Sequence, residues 1–84
     1  MKIQVSLKLV LLKNEQELEV EPGTGVGRFV EKFLEGCGDE ARRLMIDKEG
    51  RLNVLTLVNG RAAKMDQELR EGDRVVFVGL VSGG

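Results

Sequence analysis

The feature that most constrains the fold is an uninterrupted apolar run, Val-Val-Phe-Val, at residues 75–78. Its β-branched and aromatic residues predict a strand, and the lack of a polar residue within it indicates a central strand that is covered on both faces. The sequence then ends in Val81, Ser82, Gly83 and Gly84. Glycine has no side chain to pack, so we expect a folded domain over residues 1–80 and a flexible tail over residues 81–84.

Alternating apolar and polar residues predict two strands at the start of the chain, over residues 2–11 and 15–21. If residues 13 and 14 form the turn between them, Lys8 lies opposite Glu19 on the outer face. Glutamate occupies every second position of the second strand. This acidic row is interpreted either as a docking ridge for a basic partner or, more simply, as a charged sheet edge that resists aggregation.

A helix is predicted next, because apolar residues recur at i, i+3, i+4, i+7 and i+8 from Val26. Thr24 is the expected N-cap, and one of the glycines that follow the apolar stripe is the expected stop. A second, shorter helix is predicted over residues 39–45, with Asp39 as its cap.

The second half of the chain again has the pattern of strands. Residues 52–58 are mostly apolar, and the Asn-Gly pair at residues 59 and 60 is a strong signal for a hairpin turn. A short strand is expected at residues 61–63. One turn of helix is expected over residues 65–70, before the chain enters the last strand.

This order of elements predicts an α+β fold. The economical packing is a mixed sheet of four to five strands curled around one main helix, with a second short helix beside it. The first and last strands are the longest apolar ones, so we expect them to form a parallel central pair. This arrangement is the β-grasp, or ubiquitin-like, fold.

Composition argues against several classes of function. Thirteen basic and fourteen acidic side chains give a net charge of −1, which argues against nucleic acid or an anionic membrane as a partner. No apolar stretch reaches about 18 residues and no signal-peptide pattern is present, so we expect a cytoplasmic protein. Because the chain has no histidine and a single cysteine, Cys37, we expect neither an internal disulfide nor a metal site.

Two local features are candidates for a binding or reactive site. Glycines at positions 23, 25 and 27 precede the main helix, as in a phosphate-binding loop, but Arg28 stands where the dinucleotide fingerprint requires glycine. Cys37 has no histidine to activate it, and we interpret it as a small connecting residue. We therefore expect no enzyme activity and no bound cofactor.

Three short motifs stand at the ends of the predicted elements. They are Val58-Asn59-Gly60-Arg61, Glu71-Gly72-Asp73-Arg74-Val75 and Val81-Ser82-Gly83-Gly84. With the order of elements, they resemble the MoaD/ThiS family of ubiquitin-like sulfur carriers over essentially the whole chain. The length and the second helix are most similar to the small subunit of molybdopterin synthase. Those proteins usually have a proline pair before the tail, where this chain has Gly79-Leu80, so the thiazole carrier of thiamine biosynthesis is the next alternative.

The resemblance implies a mechanism in which Gly84 is the reacting residue. An E1-like adenylating enzyme would use ATP to convert the Gly84 carboxylate to an acyl-adenylate, and sulfide from a persulfide would then form a thiocarboxylate. The large subunit of a synthase would accept this sulfur for cofactor biosynthesis. Val81, Ser82 and Gly83 would thread the partner's channel, since glycine leaves no Cβ near the activated carbonyl.

Docking of these partners is predicted just before the tail, at Leu80 and Phe77. In a strand, Phe77 points to one side of the sheet while Val76 and Val78 point to the other. We expect Leu80 and at least one outward apolar side chain to be exposed and to mark a partner site.

Three other functions stay open. A ubiquitin-like modifier would join the same activated Gly84 to lysines of other proteins. A β-grasp interaction module would carry the two glycines by chance, with a probability of roughly 2% in a chain with this glycine content. An enzyme would need a cluster of reactive residues, and no such cluster is visible in the sequence.

Overall fold

Residues 1–79 are described by the structure, which is a computed structural model. Their elements are β1 (Lys2–Lys8), β2 (Lys13–Glu19), α1 (Val26–Gly36), α2 (Asp39–Met45), β3 (Val54–Val58), β4 (Arg61–Ala62) and β5 (Arg74–Gly79). The strands form one mixed sheet in the order β2-β1-β5-β3-β4. The predicted α+β, β-grasp fold is confirmed. Leu80 and the predicted tail over residues 81–84 lie outside the described residues.

The central pair of the sheet is the parallel pair that the sequence predicts. β5 lies between β1, to which it is parallel, and β3, to which it is antiparallel. Val75 is level with Val5, and Phe77 is level with Leu7. β5 therefore has a strand on each side, as expected for a central strand. Val75 and Phe77 are buried on its inner face, whereas Val76 and Val78 on its outer face are only half-buried, so the expectation that both faces are covered holds for the inner face alone.

The inner face of the sheet packs against α1, whose buried side chains are those of the predicted stripe. The rings of Phe33 and Phe77 have their centroids 5.0 Å apart with an interplanar angle of 35°, a tilted aromatic contact at the centre of the core. Phe77 is 0% exposed. The assignment of Phe77 to partner docking is therefore wrong, because its side chain is covered by the helix and has no surface to offer.

The start of α1 differs from the prediction. Thr24 is not the N-cap; its hydroxyl donates to the Glu21 carbonyl at 2.6 Å, and Gly25 occupies the cap position. The N–H groups of Val26 and Gly27 have no acceptor within the helix. They donate instead to the carbonyls of residues 67 and 65, at 2.8 and 2.9 Å. Residues 65–70 accordingly form a turn and an extended bridge rather than the expected turn of helix.

This contact also explains the glycine in the first turn of α1. A Cβ added to Gly27 would lie 3.2 Å from the carbonyl oxygen of Met65. The helix start and the segment over residues 65–70 could not approach so closely if residue 27 carried a side chain. Leu69, which follows in that segment, is buried in the core.

The first hairpin has a different register from the one predicted. β1 ends at Lys8, and the turn lies at residues 9–12, closed by the N–H of Leu9 donating to the carbonyl of Leu12 at 2.9 Å. Lys8 therefore lies opposite Lys13, and Glu19 lies opposite Lys2. The apolar alternation of the sequence continues past the end of the strand, because Leu9 turns inward and joins the core.

One polar group in the core is left without a partner. Thr56 lies on the inner face of β3, level with Phe77, and it is buried. Its Oγ1 makes no hydrogen bond within residues 1–79. A buried hydroxyl without a partner costs about 1–3 kcal/mol of stability.

Replacing Thr56 with valine, Thr56→Val, is expected to stabilise the domain by about 1 kcal/mol, because it keeps the shape and removes the unpaired hydroxyl. Urea denaturation checks this as a higher midpoint with an unchanged slope. Thr24→Val is the matched control, since it removes a hydroxyl that is hydrogen-bonded. An unchanged or lower midpoint for Thr56→Val would show that Oγ1 is satisfied in solution.

Candidate functional site

The residues predicted to react or to thread a channel lie beyond the last described residue. Gly84, Gly83, Ser82 and Val81, and the docking candidate Leu80, are all outside residues 1–79. Their assignments stay predictions. What the structure locates is the point from which they continue, which is Gly79 at the end of β5.

Gly79 lies against the turn between β1 and β2. Because β1 and β5 are parallel, their last residues reach the same end of the sheet, which we call the tail end. A Cβ added to Gly79 would lie 3.2 Å from Cδ2 of Leu9 and 3.5 Å from its Cα. A side chain at position 79 would thus require the Leu9 side chain to shift by a few tenths of an ångström.

The tail end carries exposed apolar side chains. Val10 and Leu11, at the tip of the turn, are each 81% exposed, and Leu44 at the end of α2 is 36% exposed. Together with Leu9, Asn53 and Gly79 they line a groove of about 160 Å³. None of these six residues has a titratable side chain.

The outer face of the sheet carries a second apolar surface, which we call the outer patch. It consists of four side chains on β3 and β5, namely Leu55, Leu57, Val76 and Val78. Leu55 lies opposite Val78, and Leu57 lies opposite Val76. Leu55 is 42% exposed and the other three are half-buried, so the surface is open to a partner.

The outer patch is bordered by charge on the β2 side. β2 is an edge strand, as predicted, and its glutamates at positions 15, 17 and 19 are exposed. Gln4 Nε2 donates to Glu17 at 2.7 Å, and the Ser6 hydroxyl donates to Glu15 at 3.4 Å. These bonds tie part of the acidic row to β1, which fits the protection of a sheet edge.

The motifs at residues 58–61 and 71–75 stabilise the fold at the end of the sheet opposite the tail end. Asn59 and Gly60 both have positive φ, 53° and 86°, as the predicted tight hairpin turn requires. The Asn59 amide donates to Asp73 at 2.9 Å and accepts from the Arg74 N–H at 3.0 Å. The other carboxylate oxygen of Asp73 accepts from the N–H of Arg70 at 2.8 Å. This Asn59–Asp73 clamp is structural.

Cys37 is half-buried at the end of α1. Its thiol donates to the carbonyls of Leu34 and Gly38, each at 3.6 Å. Burial raises the pKa of the Cys37 thiol, against the opposing effects of a backbone hydrogen bond and of Arg42. The neutral thiol is favoured, which agrees with the interpretation of Cys37 as a connecting residue.

Within residues 1–79, no group of three or more histidine, cysteine, aspartate or glutamate side chains is placed to hold a metal ion. In the same part of the chain, neither helix has the length and apolar character needed to cross a bilayer.

The outward side chains of the last strand, Val76 and Val78, were expected to mark a partner site, but the β3 half of the outer patch and the tip of the first hairpin were missed by sequence reasoning. Leu55 and Leu57 lie in a mostly apolar run whose polar residue, Thr56, faces inward, so the pattern does not say which side chains point outward. The only signal for the tip is that residues 9–12 are four consecutive apolar residues, which is unusual for a turn.

Comparison with known proteins gives a consistent family. Residues 6–84 match the model of the ThiS family. A search of curated protein sequences found no significant match. Among solved structures, SAMP1 from Haloferax volcanii is similar with 21% identity, a TM-score of 0.81 and 100% of both chains covered.

Two further structures are similar in fold. A chain of the complex between subunits 1 and 2 of the molybdopterin-converting factor from Helicobacter pylori has 14% identity and a TM-score of 0.68, with 100% of both chains covered. Urm1 from Trypanosoma brucei has 22% identity and a TM-score of 0.65, with 96% of this chain and 95% of that chain covered. At these identities the likeness shows the fold.

The clamp makes a testable prediction. Asp73→Ala is expected to destabilise the domain by about 1–2 kcal/mol, because it removes the acceptor of two hydrogen bonds. Thermal or urea denaturation measures the loss. Asp66→Ala is the matched control, since Asp66 is exposed and makes no hydrogen bond within the described part of the chain. Equal stabilities for the two variants would contradict a structural role for Asp73.

Proposed function

Because the chain belongs to the ThiS family, we propose that it is a sulfur carrier that reacts through the carboxylate of Gly84. The observation that carries the proposal is the extent of the match, residues 6–84, which includes the final glycine pair. The carrier is a substrate of its partners and is not itself an enzyme.

In the proposed cycle, an E1-like adenylating enzyme first activates Gly84. A carboxylate oxygen attacks the α-phosphorus of ATP, pyrophosphate leaves, and the acyl-adenylate forms. The outer sulfur of a persulfide then attacks the acyl carbon, and AMP leaves as the C–S bond forms an acyl disulfide. A second thiol attacks the persulfide's inner sulfur, so that the S–S bond breaks, a disulfide forms and the thiocarboxylate is released. The product is a thiocarboxylate, which holds nucleophilic sulfur for a biosynthetic enzyme.

The lining of the tail end supports a passive role in this chemistry. The groove beside Gly79 is formed by apolar side chains and Asn53, so it offers no acid, base or nucleophile at the root of the tail. The partner enzyme must supply those groups. The contribution of this chain is to present a narrow tail on a rigid domain, and glycine at positions 83 and 84 suits passage through a channel.

The outer patch is the proposed docking face. It is apolar, exposed at Leu55, and built on two paired strands rather than on a loop, so its shape is fixed before binding. It replaces Phe77 as the docking surface on the last strand. Leu80 remains part of the proposed docking surface as the next residue along the chain.

The proposed acceptor is the large subunit of a synthase that makes molybdopterin, with thiazole synthesis for thiamine as the next choice. The similar protein from Helicobacter pylori is found in a complex of subunits 1 and 2 of the molybdopterin-converting factor, which supports a partner of that kind. SAMP1, described as a small archaeal modifier protein, supports the alternative in which the activated glycine is joined to other proteins.

Incubation with an adenylating enzyme, ATP and a sulfur donor tests the proposal. Intact-protein mass spectrometry is expected to show a gain of about 16 Da, as one carboxylate oxygen is replaced by sulfur. A non-cleavable fusion after Gly84 is the control and is expected to block the gain, because it removes the free carboxylate. Attachment to lysines of other proteins would identify a modifier instead, and modification of the fused chain would contradict the assignment of Gly84.

Docking through the outer patch is tested by Leu55→Glu. Affinity for the adenylating enzyme is expected to fall at least tenfold, about 1.4 kcal/mol, because a charge enters an apolar contact. Isothermal titration calorimetry measures the affinity, and the melting temperature confirms folding. Met65→Glu is the matched control: Met65 is 47% exposed and lies beside the start of α1. Equal affinities for the two variants would show that the outer patch is not the docking face.

A further inference from the structure

We propose that the tip of the first hairpin, Val10 and Leu11, is a second docking element that contacts the channel mouth of the enzyme acting on Gly84. This inference rests on the proposed function and extends it to a surface at the tail end. The occupant is the apolar rim of that channel, on the adenylating enzyme.

The first step of the argument is distance along the chain. Gly84 lies five residues beyond Gly79, and five fully extended residues span at most about 18 Å. An enzyme that receives the Gly84 carboxylate in a channel must therefore bring its mouth within that distance of Gly79. Whatever surrounds Gly79 is then close to the enzyme.

The second step is what surrounds Gly79. The turn at residues 9–12 contacts it directly, because a Cβ at position 79 would lie 3.2 Å from Cδ2 of Leu9 and within ordinary contact distance of the Leu9 Cα. Val10 and Leu11 are the next two residues of that turn, and each is 81% exposed. The parallel pairing of β1 and β5 sets this proximity, because it places Lys8, from which the turn starts, level with Val78.

The third step is the chemistry of the tip. Tight turns usually carry glycine, asparagine, aspartate or proline, whereas this one is formed by four apolar residues. Leu9 and Leu12 contribute to the core, so their apolar character is explained by packing. Val10 and Leu11 are left outside it. Covering these two side chains removes apolar surface from water, which favours contact with an apolar partner surface.

The fourth step is the nature of the partner surface. The groove between the tip and Leu44 is lined by uncharged residues, so an uncharged apolar surface complements it. Its volume of about 160 Å³ is below the roughly 300–1,000 Å³ of small-molecule sites. The groove suits a side chain from a protein rim better than a small substrate.

The test compares carrier variants as substrates of the adenylating enzyme, measured by carrier-dependent ATP–pyrophosphate exchange. Leu11→Glu is expected to raise KM at least tenfold with little change in kcat, because the lost contact is remote from the reacting carbonyl. Leu11→Ser removes the apolar contact without adding charge and is expected to raise KM in the same direction. Circular dichroism and melting temperature establish that both variants fold.

Met65→Glu is the matched control, with an exposed apolar residue replaced near the start of α1, away from the tail end. It is expected to leave KM unchanged. A wild-type KM for Leu11→Glu and Leu11→Ser would overturn the inference while leaving the proposed function intact. A lower KM, or a large loss of stability, would overturn it too, because it would show that residues 80–84 of the chain itself cover the tip. Failure of the wild-type chain to support exchange would overturn the proposed function, and this inference with it.

Discussion

The parallel pairing of β1 with β5 is the interaction on which the rest of the structure depends. It places the last strand at the centre of the sheet, between β1 and β3, although it comes last in the chain. One face of β5 then packs on α1 through the contact between Phe77 and Phe33, and the other face becomes part of the outer patch. The same pairing brings Gly79 beside the first hairpin. One strand pairing therefore positions both the core and the tail end.

The two ends of the sheet differ in their interactions. At one end the Asn59–Asp73 clamp joins the β3–β4 turn to Asp73 and Arg74 through two side-chain hydrogen bonds, and a third ties Asp73 to Arg70. At the same end the helix start is held by backbone carbonyls. At the other end apolar side chains are left exposed around Gly79. The polar interactions of the clamp and of the helix start thus lie at the end of the sheet opposite Gly79.

In the proposed function, the chain needs a rigid body and an activated end. The buried core residues lie within the sheet and under the two helices. Partners acting on a short tail must approach the tail end of the sheet, whatever reaction they perform. In the proposed function, this shared requirement makes the tail end a surface common to successive enzymes, whereas the outer patch can be used by each of them differently.

Local patterns in the sequence were enough to establish the order of the elements, the parallel central pair, the buried stripe of α1 and the turn at Asn59, because each depends on periodicity or on the backbone preference of one or two residues. The family resemblance led to the prediction that Gly84 is the reacting residue. The register of the first hairpin, the capping of α1 by residues 65 and 67, and the burial of Phe77 were decided only by tertiary structure. An alternating strand pattern defines two faces without saying where the strand stops or which face the helix will cover. In β5, where both faces are apolar, only the position of α1 determines that Phe77 points inward and Val76 outward.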